Sequence, residues 1–229
     1  MNRDVGVIIV AGGAGSRTGG EELKQFRWVA GKPMLLHSVQ LVQQRDDVGM
    51  VVVVLPHVHV GDPPPWLFQC DTERLLLSVG GRERSDSVRN GLEDLPEGLE
   101  IVVVHDAARP LATMKMLDDV IREARAGHGA APALPVVDTL KRVDTDGAII
   151  STVERDSIVR IQTPQAFPRA LIERAHAGAM RDRFAATDDA ALCERLGIRV
   201  VTVPGDERAL KITTEADFAR AEALSILRE

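Results

Sequence analysis

Short runs of almost uninterrupted apolar residues, rich in Val and Ile, recur along this chain. A strand that is covered on both faces has such a continuous run, whereas a strand with one face in water alternates apolar and polar residues. The pattern therefore predicts buried strands of a parallel sheet. The runs occupy residues 5–10, 50–55, 75–79, 101–104, 130–137 and 198–203.

Amphipathic helices are predicted between these strands. In residues 33–42, Leu35, Val39 and Val42 fall on one helical face, and Pro33 suits the first turn. Strands that alternate with helices predict right-handed βαβ units and an α/β fold with a doubly wound, mostly parallel sheet. The active site of such a sheet lies beyond the carboxyl ends of its strands. The same helical periodicity recurs in residues 85–95, 113–125, 169–180 and 214–227.

Residues 138–163 depart from this alternation, because they are polar and β-branched. A turn at residues 144–147 separates two short strand patterns, at residues 139–143 and 148–153, which predicts a protruding β-hairpin. A protruding hairpin exposes strand edges, and proteins usually cover such edges. We therefore expect one domain over residues 1–229, with residues 138–163 as the dimerisation arm of a homodimer. A mobile surface loop is the alternative.

The composition limits the partners of the chain. Its 229 residues have a formal net charge of −6, which is not the basic surface that nucleic acid or an anionic membrane requires. No apolar run approaches the length of a transmembrane helix, and the first residues do not form a signal-peptide pattern. Cys70 and Cys193 match no metal-ligand or disulfide spacing. We expect a soluble, cytoplasmic protein that binds neither nucleic acid nor membrane.

A glycine-rich loop follows the first predicted strand, with the sequence A-G-G-A-G-S-R at residues 11–17. Glycines at the end of a strand allow backbone N–H groups to approach phosphate oxygens. The loop has neither the Gly-Lys-Ser/Thr of a Walker loop nor the third glycine of the dinucleotide fingerprint. It carries instead two cations, Arg17 and Lys24, of the kind that stabilise a transferring phosphoryl group. The loop therefore predicts a triphosphate site.

Two further polar clusters follow predicted strands. In residues 80–88, Ser85 is a candidate helix N-cap and Ser87 lies in the first turn, so the helix N-terminus would face the same cleft. Helix capping alone is the alternative explanation of these serines. In H-D-A-A-R-P, Asp106 ends a buried strand, which suits Mg²⁺ because that ion binds one or two carboxylates together with substrate oxygens. Arg109 is then placed to bind a substrate phosphate.

A series of motifs across residues 10–217 resembles the 2-C-methyl-D-erythritol 4-phosphate cytidylyltransferases of the non-mevalonate isoprenoid pathway. The resemblance implies a Rossmann-like nucleotidyltransferase fold and Mg²⁺-assisted transfer of CMP from CTP to methylerythritol phosphate, with release of pyrophosphate. A-G-G and K-Q-F also occur in related ribitol 5-phosphate cytidylyltransferases, so ribitol 5-phosphate, or another polyol phosphate, is the alternative acceptor. The motifs are A-G-G-x-G-S-R, L-K-Q-F, G-G-x-E-R-x-D-S-V, H-D-A-A-R-P, V-V-D-T-L-K-R, T-P-Q-A-F, T-D-D-A and L-K-I-T-T-x-x-D.

The resemblance also implies roles for individual residues, and some of the substrate contacts would reach across the dimer. The cations around the α-phosphate would be Arg17, Lys24 and Lys211. The nucleotide contacts would be Ala11, Gly12, Gly13, Ala14, Gly15, Gly81, Arg82, Ser87 and Ala107. The substrate contacts would be Asp106, Arg109, Thr139, Arg155, Thr163 and Thr187, and Asp106 would also hold Mg²⁺.

The mechanism that agrees with these residues is in-line attack of the acceptor phosphate on the α-phosphorus. A phosphate monoester is already an anion near neutral pH, so catalysis needs positioning and charge neutralisation rather than a general base. Two other classes of protein remain as rivals. A nicotinamide-dependent oxidoreductase would need the missing third glycine and a hydride-transfer site, and a non-catalytic nucleotide sensor would release no pyrophosphate from CTP.

Overall fold

The structure, a computed structural model, describes residues 3–13 and 23–226. None of the helices in these two ranges is long and apolar enough to cross a membrane. The strands are β1 (Val5–Val10), β2 (Trp28–Val29), β3 (Lys32–Pro33), β4 (Val48–Leu55), β5 (Leu75–Val79), β6 (Ile101–Asp106), β7 (Gly129–Pro135), β8 (Leu140–Val143), β9 (Ile149–Val153), β10 (Val159–Ile161), β11 (Gln165–Pro168) and β12 (Val200–Pro204). The helices are α1 (Met34–Gln43), α2 (Arg84–Asp94), α3 (Met114–Arg125), α4 (Arg169–Asp182), α5 (Asp189–Arg195) and α6 (Glu215–Ser225).

A mixed sheet forms the centre of the described part. β1 lies inside it and pairs in parallel with both β4 and β6, and β4 pairs in parallel with β5. Beyond β6, the antiparallel strand β11 lies between β6 and β7, while β10 pairs with β7 in antiparallel orientation and β12 pairs with it in parallel. The strands β1, β4, β5 and β6 therefore all end at the same edge of the sheet.

The core lies in two layers, one on each face of this sheet. Val5, Val7 and Ile9 of β1 pack with α1 and α3, whereas Ile8 packs with α2, α4 and α5 on the other face. All four side chains are fully buried. Because successive residues of a strand point to opposite faces, a strand that is covered on both sides must be apolar at every position. This is the physical reason why continuous apolar runs identified the central strands.

The predicted α/β fold with parallel core strands and a separate hairpin is confirmed. Each of the six predicted core strands and five predicted helices forms within two residues of its predicted limits. Five of the described strands and helices were not predicted: β2, β3, β10, β11 and α5. The four strands have 2 to 4 residues each and the helix has 7, so none is long enough to show its periodicity.

The hairpin of β8 and β9 is an antiparallel pair that does not join the central sheet. The Asp144 carboxylate accepts hydrogen bonds from two backbone N–H groups of the turn, and Gly147 has a φ of 84°. This left-handed conformation favours glycine, which explains the residue type at the turn. Val143, Ile149 and Ile150 are exposed. Within the described residues, these three apolar side chains of the hairpin are therefore not covered by the same chain.

Candidate active site

A cleft of about 490 Å³ opens where β1, β5 and β6 end. The chain leaves β1 toward β4 and β5 and later returns to β6 on the other side of β1. Ligands of open α/β sheets bind at such a switch point. Ten of the predicted site residues line this cleft: Ala11, Gly12, Gly13, Lys24, Gly81, Arg82, Ser87, Asp106, Ala107 and Lys211.

Two glycines from different loops pack against each other at the cleft. A Cβ on Gly12, which follows β1, would lie 3.2 Å from the Cα of Gly80, which follows β5. A Cβ on Gly80 would in turn lie 3.1 Å from the Cα of Gly12. Backbones can approach this closely only where neither residue has a side chain. This part of the cleft wall therefore consists of backbone, as phosphate binding by N–H groups requires.

The side chain of Gln25 holds the first described residues of the glycine-rich loop. It is buried, and its Nε2 donates to the carbonyl oxygens of Ala11 and Gly13 at 2.7 and 3.3 Å. The neighbouring Lys24 donates from Nζ to the carbonyl oxygen of Ile212 at 2.8 Å and also lines the cleft. The side chain of Gln25 therefore positions the loop, and the carbonyl group of Ile212 positions the lysine. Three predicted site residues lie outside the described ranges: Ala14, Gly15 and Arg17.

The N-terminus of α2 lies at the cleft, but its N-cap is Glu83 and not Ser85, so that prediction was wrong. The Glu83 side chain accepts a hydrogen bond from the N–H of Asp86, and the Asp86 carboxylate accepts one from the N–H of Glu83 at 3.2 Å. This reciprocal capping box outcompetes the serine that residue preferences favour. The hydroxyl of Ser87 accepts instead from the N–H of Gly81 at 3.1 Å. The loop after β5 is thereby tied to the helix.

Asp106, at the end of β6, holds two cations in the cleft. Its Oδ1 accepts from Nε of Arg84 at 2.9 Å, and its Oδ2 accepts from Nζ of Lys211 at 2.7 Å. Burial alone would raise the pKa of this carboxyl, but the charges of Arg84 and Lys211 bring it well below its usual range. Asp106 is therefore an anion throughout the neutral pH range.

Arg84 extends this set of charges into the core behind the cleft. Its Nη1 donates to Oδ2 of Asp189 at 2.8 Å, and Nε2 of His176 lies 2.9 Å from Oδ1 of the same carboxylate. Asp189 and His176 are both buried. Burial would raise the pKa of Asp189, but Arg84 and His176 lower it. The guanidinium of Arg84 is therefore held between two carboxylates.

The hydroxyl of Thr163 lies beside the backbone of Asp106. It accepts a hydrogen bond from the N–H of Asp106 at 3.0 Å and lies 3.1 Å from Nδ1 of His105. All three residues are buried. Burial lowers the pKa of His105 to about 4, so its imidazole is neutral at neutral pH. Thr163, predicted to contact the substrate phosphate, thus also orients the end of β6.

The other predicted substrate contacts lie outside the described lining of the cleft. The half-buried Arg109 donates to the carbonyl oxygen of Ala209 at 2.7 Å. Thr139 and Arg155 are exposed and flank the hairpin, and the exposed Thr187 precedes the N-cap of α5. The structure therefore brings the described nucleotide residues and two predicted cations into one cleft, but neither these four residues nor Thr163 lines it.

Three residues that shape the site were not predicted individually: Gln25, Arg84 and Asp189. Each belongs to a motif that the sequence displays, namely L-K-Q-F, G-G-x-E-R-x-D-S-V and T-D-D-A. The partners of Gln25 are 12 and 14 positions away, and Arg84 and Asp189 are 105 positions apart. No local spacing indicates contacts over such separations. The available signal is that each of the three lies within two positions of a predicted site residue, namely Lys24, Arg82 and Thr187.

Asp106 is the group in the cleft that suits a divalent cation. Within residues 3–13 and 23–226, no three His, Cys, Asp or Glu side chains form a cluster that could hold a metal ion. Mg²⁺ often binds one or two protein carboxylates and takes its remaining ligands from water and phosphate oxygens. The ionised carboxylate of Asp106, in a cleft whose wall includes glycine backbone, fits this mode and does not fit a closed, all-protein metal site.

Comparisons with known proteins identify one family. The model of the 2-C-methyl-D-erythritol 4-phosphate cytidylyltransferase family matches residues 5–229. A protein of that name from Syntrophus aciditrophicus is 43% identical over 226 residues, which are 97% of this chain and 96% of the relative. The structure of the Thermus thermophilus cytidylyltransferase is similar with a TM-score of 0.82 and 34% identity, over 99% of this chain and 100% of that one. The 4-diphosphocytidyl-2C-methyl-D-erythritol synthase of Anaerococcus prevotii has a TM-score of 0.84 and 28% identity, over 96% of this chain and 94% of that one.

Proposed function

Because this chain belongs to the 2-C-methyl-D-erythritol 4-phosphate cytidylyltransferase family, we propose that its cleft joins CTP and methylerythritol phosphate by in-line attack on the α-phosphorus. The chain is a nucleotidyltransferase of the non-mevalonate isoprenoid pathway. The observation that carries the mechanism is the position of Asp106, which lies between Arg84 and Lys211 in a cleft with glycine backbone in its wall. That arrangement suits the triphosphate of CTP and the acceptor phosphate, because two anions that approach each other need positive charge and backbone N–H groups around them.

CTP binds with its phosphates against backbone groups. The close approach of Gly12 and Gly80 leaves peptide groups in the wall, and the N-terminus of α2 adds unpaired N–H groups with a partial positive charge. The hydrogen bond from Gly81 to Ser87 keeps the loop and the helix at a constant separation. A preorganised set of donors stabilises charge in the transition state because no group must reorient during the reaction.

Lys24 and Lys211 neutralise charge around the α-phosphate. One segment positions both, because Nζ of Lys24 donates to the carbonyl of Ile212, whose own N–H donates to the carbonyl of Ala108 at 2.8 Å. Lys211 is partly exposed and pairs with Asp106, so its ammonium group can turn from that carboxylate to an incoming phosphate. Arg17, outside the described ranges, is the third cation of this proposal.

Asp106 is the residue of this chain that would hold Mg²⁺, and members of the family generally use a divalent cation. Bound there, Mg²⁺ would draw charge from the triphosphate oxygens and so favour departure of pyrophosphate. Arg84 and Lys211 keep the carboxylate ionised, and the hydroxyl of Thr163 fixes the peptide that carries it. The chain thus supplies an oriented anion at the point where the phosphates meet.

The acceptor phosphate attacks without a general base, since it is already an anion near neutral pH. Its alignment depends on the remaining predicted contacts, of which Arg109 and Thr163 lie close to β6. Thr139 and Arg155 flank the hairpin, so their place in the reaction depends on where the hairpin packs. Well-aligned reactants contribute several kcal/mol to catalysis, on the order of 7–11 kcal/mol in intramolecular models.

The hairpin of β8 and β9 is the dimerisation arm of this proposal. Ile149 and Ile150 are 66% and 60% exposed, and Val143 is 52% exposed, although large apolar side chains usually avoid water when they occur together. A second subunit would cover these side chains, and Thr139 and Arg155 of the first subunit would then lie at the cleft of the second. The acceptor site would then be complete only in the dimer.

A pyrophosphate-release assay tests the proposed function. Wild type with CTP and Mg²⁺ is expected to release pyrophosphate with methylerythritol phosphate and to do so poorly with ribitol 5-phosphate and other polyol phosphates. ATP, GTP and UTP in place of CTP test the nucleotide. Release that does not depend on the acceptor, or a clear preference for ribitol 5-phosphate, would contradict the assignment.

A further inference from the structure

Four side chains of alternating charge, those of Lys211, Asp106, Arg84 and Asp189, connect the cleft to the core behind it. The contact from Lys211 to Asp106 is 2.7 Å, that from Asp106 to Arg84 is 2.9 Å, and that from Arg84 to Asp189 is 2.8 Å. His176 ends the series at 2.9 Å from Asp189. The last two residues do not line the cleft, and both are buried. They therefore meet the substrates only through Arg84.

We propose that Asp189 and His176 are positioning residues of the cytidylyltransferase reaction, which hold Arg84 against Asp106 and set the charge that Asp106 presents to the nucleotide and its cation. The inference rests on the role proposed above for Asp106. It assigns a function to two core residues on α4 and α5, elements that contribute no side chain to the described lining of the cleft.

The burial of Asp189 is the first argument. A buried ion pair gives little net stability, because the cost of removing both charges from water offsets their attraction, and apolar side chains often serve a core as well. Asp189 is 0% exposed, beside the apolar core that Leu192 and Cys193 help to form. A carboxylate at this position needs a reason beyond packing, and its contact with Arg84 supplies one.

The rigidity of its support is the second argument. Gln165 of β11 donates from Nε2 to Asp188 at 2.8 Å, and its Oε1 accepts from the N–H of Ala190 at 3.2 Å. Gln165 is itself buried and clamps the chain on both sides of Asp189. The Asp189 carboxylate therefore has a constant position relative to the sheet, as a residue that orients another residue requires.

The sharing of charge is the third argument. The guanidinium of Arg84 divides its hydrogen bonds between Asp106 and Asp189, through Nε and Nη1 respectively. If Asp189 loses its charge, Asp106 alone balances the positive charge of Arg84. The Asp106 carboxylate then has less negative charge available for Lys211 and for the cation of the bound nucleotide. Asp189 thus tunes Asp106 in the manner of an outer-shell residue, and changes to such residues commonly reduce affinity or activity by roughly 10- to 100-fold.

Asp189→Asn tests the proposal, because it keeps the shape and one acceptor while it removes the charge. We expect the affinity for CTP in the presence of Mg²⁺, measured by titration calorimetry, to fall by roughly 10-fold or more. The Mg²⁺ concentration for half-maximal activity should rise in parallel. His176→Gln places an amide N–H near the position of Nε2 and should behave like wild type, whereas His176→Leu should show a weaker form of the Asp189→Asn effect.

Asp47→Asn is the matched control. Asp47 also pairs with two arginines, Arg45 and Arg125, but it precedes β4 at the opposite end of the sheet. Its loss should lower the melting temperature without changing CTP affinity or the Mg²⁺ requirement. Asp189→Asn that lowers only the melting temperature, with CTP affinity within about twofold of wild type, would overturn the positioning role.

A double-mutant cycle with Asp106→Asn separates this inference from the proposed function. If Asp189 acts through Asp106, then Asp189→Asn should have little further effect on CTP affinity once Asp106 is neutral. Additive effects would contradict the inference and leave the cytidylyltransferase activity in place. Absence of pyrophosphate release in wild type would contradict the proposed function itself.

Discussion

Replacement of Gly81 by alanine tests how tightly the loop after β5 packs against α2. A Cβ on Gly81 would lie 2.2 Å from the Cβ of Asp86 and 3.0 Å from its carbonyl carbon. Gly81 is not among the glycines with positive φ, so steric overlap and not backbone strain opposes the substitution. Because the overlap involves the backbone of a helix, a side-chain rotation cannot relieve it. The loop and the helix must therefore separate.

Three contributions to the free energy of unfolding change when the loop and the helix separate, and we add their costs. It breaks the hydrogen bond from the N–H of Gly81 to Ser87, which contributes about 1 kcal/mol. It disturbs the capping box of Glu83 and Asp86, at a cost of about 1 kcal/mol. Overpacking adds roughly 1–3 kcal/mol. The free energy of unfolding should fall by about 3–5 kcal/mol in total, which for a chain of this length lowers the melting temperature by roughly 6–20 °C.

Thermal unfolding followed by circular dichroism measures this change, with Gly13→Ala as the control. Among residues 3–13 and 23–226, a Cβ on Gly13 would meet nothing within 4 Å, so the melting temperature of Gly13→Ala should stay within about 2 °C of wild type. In Gly81→Ala the displaced helix also carries Arg84 away from Asp106, so CTP affinity should fall. Equal melting temperatures in the two variants would refute the packing argument.

Three further predictions follow from the site and the hairpin. Lys211→Ala should keep its melting temperature within a few degrees and lose about 10²-fold or more in turnover; wild-type turnover would remove its catalytic role. Burial lowers the pKa of His105 to about 4, so the unfolded chain binds a proton near pH 6.5 that the folded chain does not, and stability is lost as the pH falls from about 6.5 to about 4. Between pH 7 and 5, wild type should lose about 2 kcal/mol more than His105→Gln in urea unfolding, and equal losses would contradict this pKa. The double variant Ile149→Asp and Ile150→Asp should be a monomer where wild type is a dimer, as measured by light scattering. A wild type that is active as a monomer would refute the role of the hairpin as a dimerisation arm.

The central part of the fold was accessible from local patterns. β1 was predicted at its observed limits because all of its residues are apolar, as burial on both faces requires. α3 was predicted within one residue because a long amphipathic helix repeats its pattern over several turns. β10 and β11 were missed because they are short and pair with distant strands, so no local repeat marks them.

Part of the candidate site was accessible for a similar reason. Glycines that follow a strand, and the Asp106 carboxylate at the end of another, indicate a phosphate site wherever parallel strands end at a common edge. The N-cap of α2 was not accessible, because Glu83 acts as a cap only together with Asp86, whereas Ser85 has the favoured residue type. The statistical preference for serine at an N-cap is therefore weaker than the reciprocal pair of hydrogen bonds between Glu83 and Asp86, which only the structure shows.

The sequence by itself determined the central strands, the longer helices and where backbone can approach a phosphate, because these properties depend on neighbouring residues. Only the tertiary structure decided that Arg84 lies between Asp106 and Asp189, which are 22 and 105 positions away from it. Such a contact depends on which strands are adjacent and how the helices cover them. These are outcomes of packing over the whole chain, and no spacing along the sequence records them.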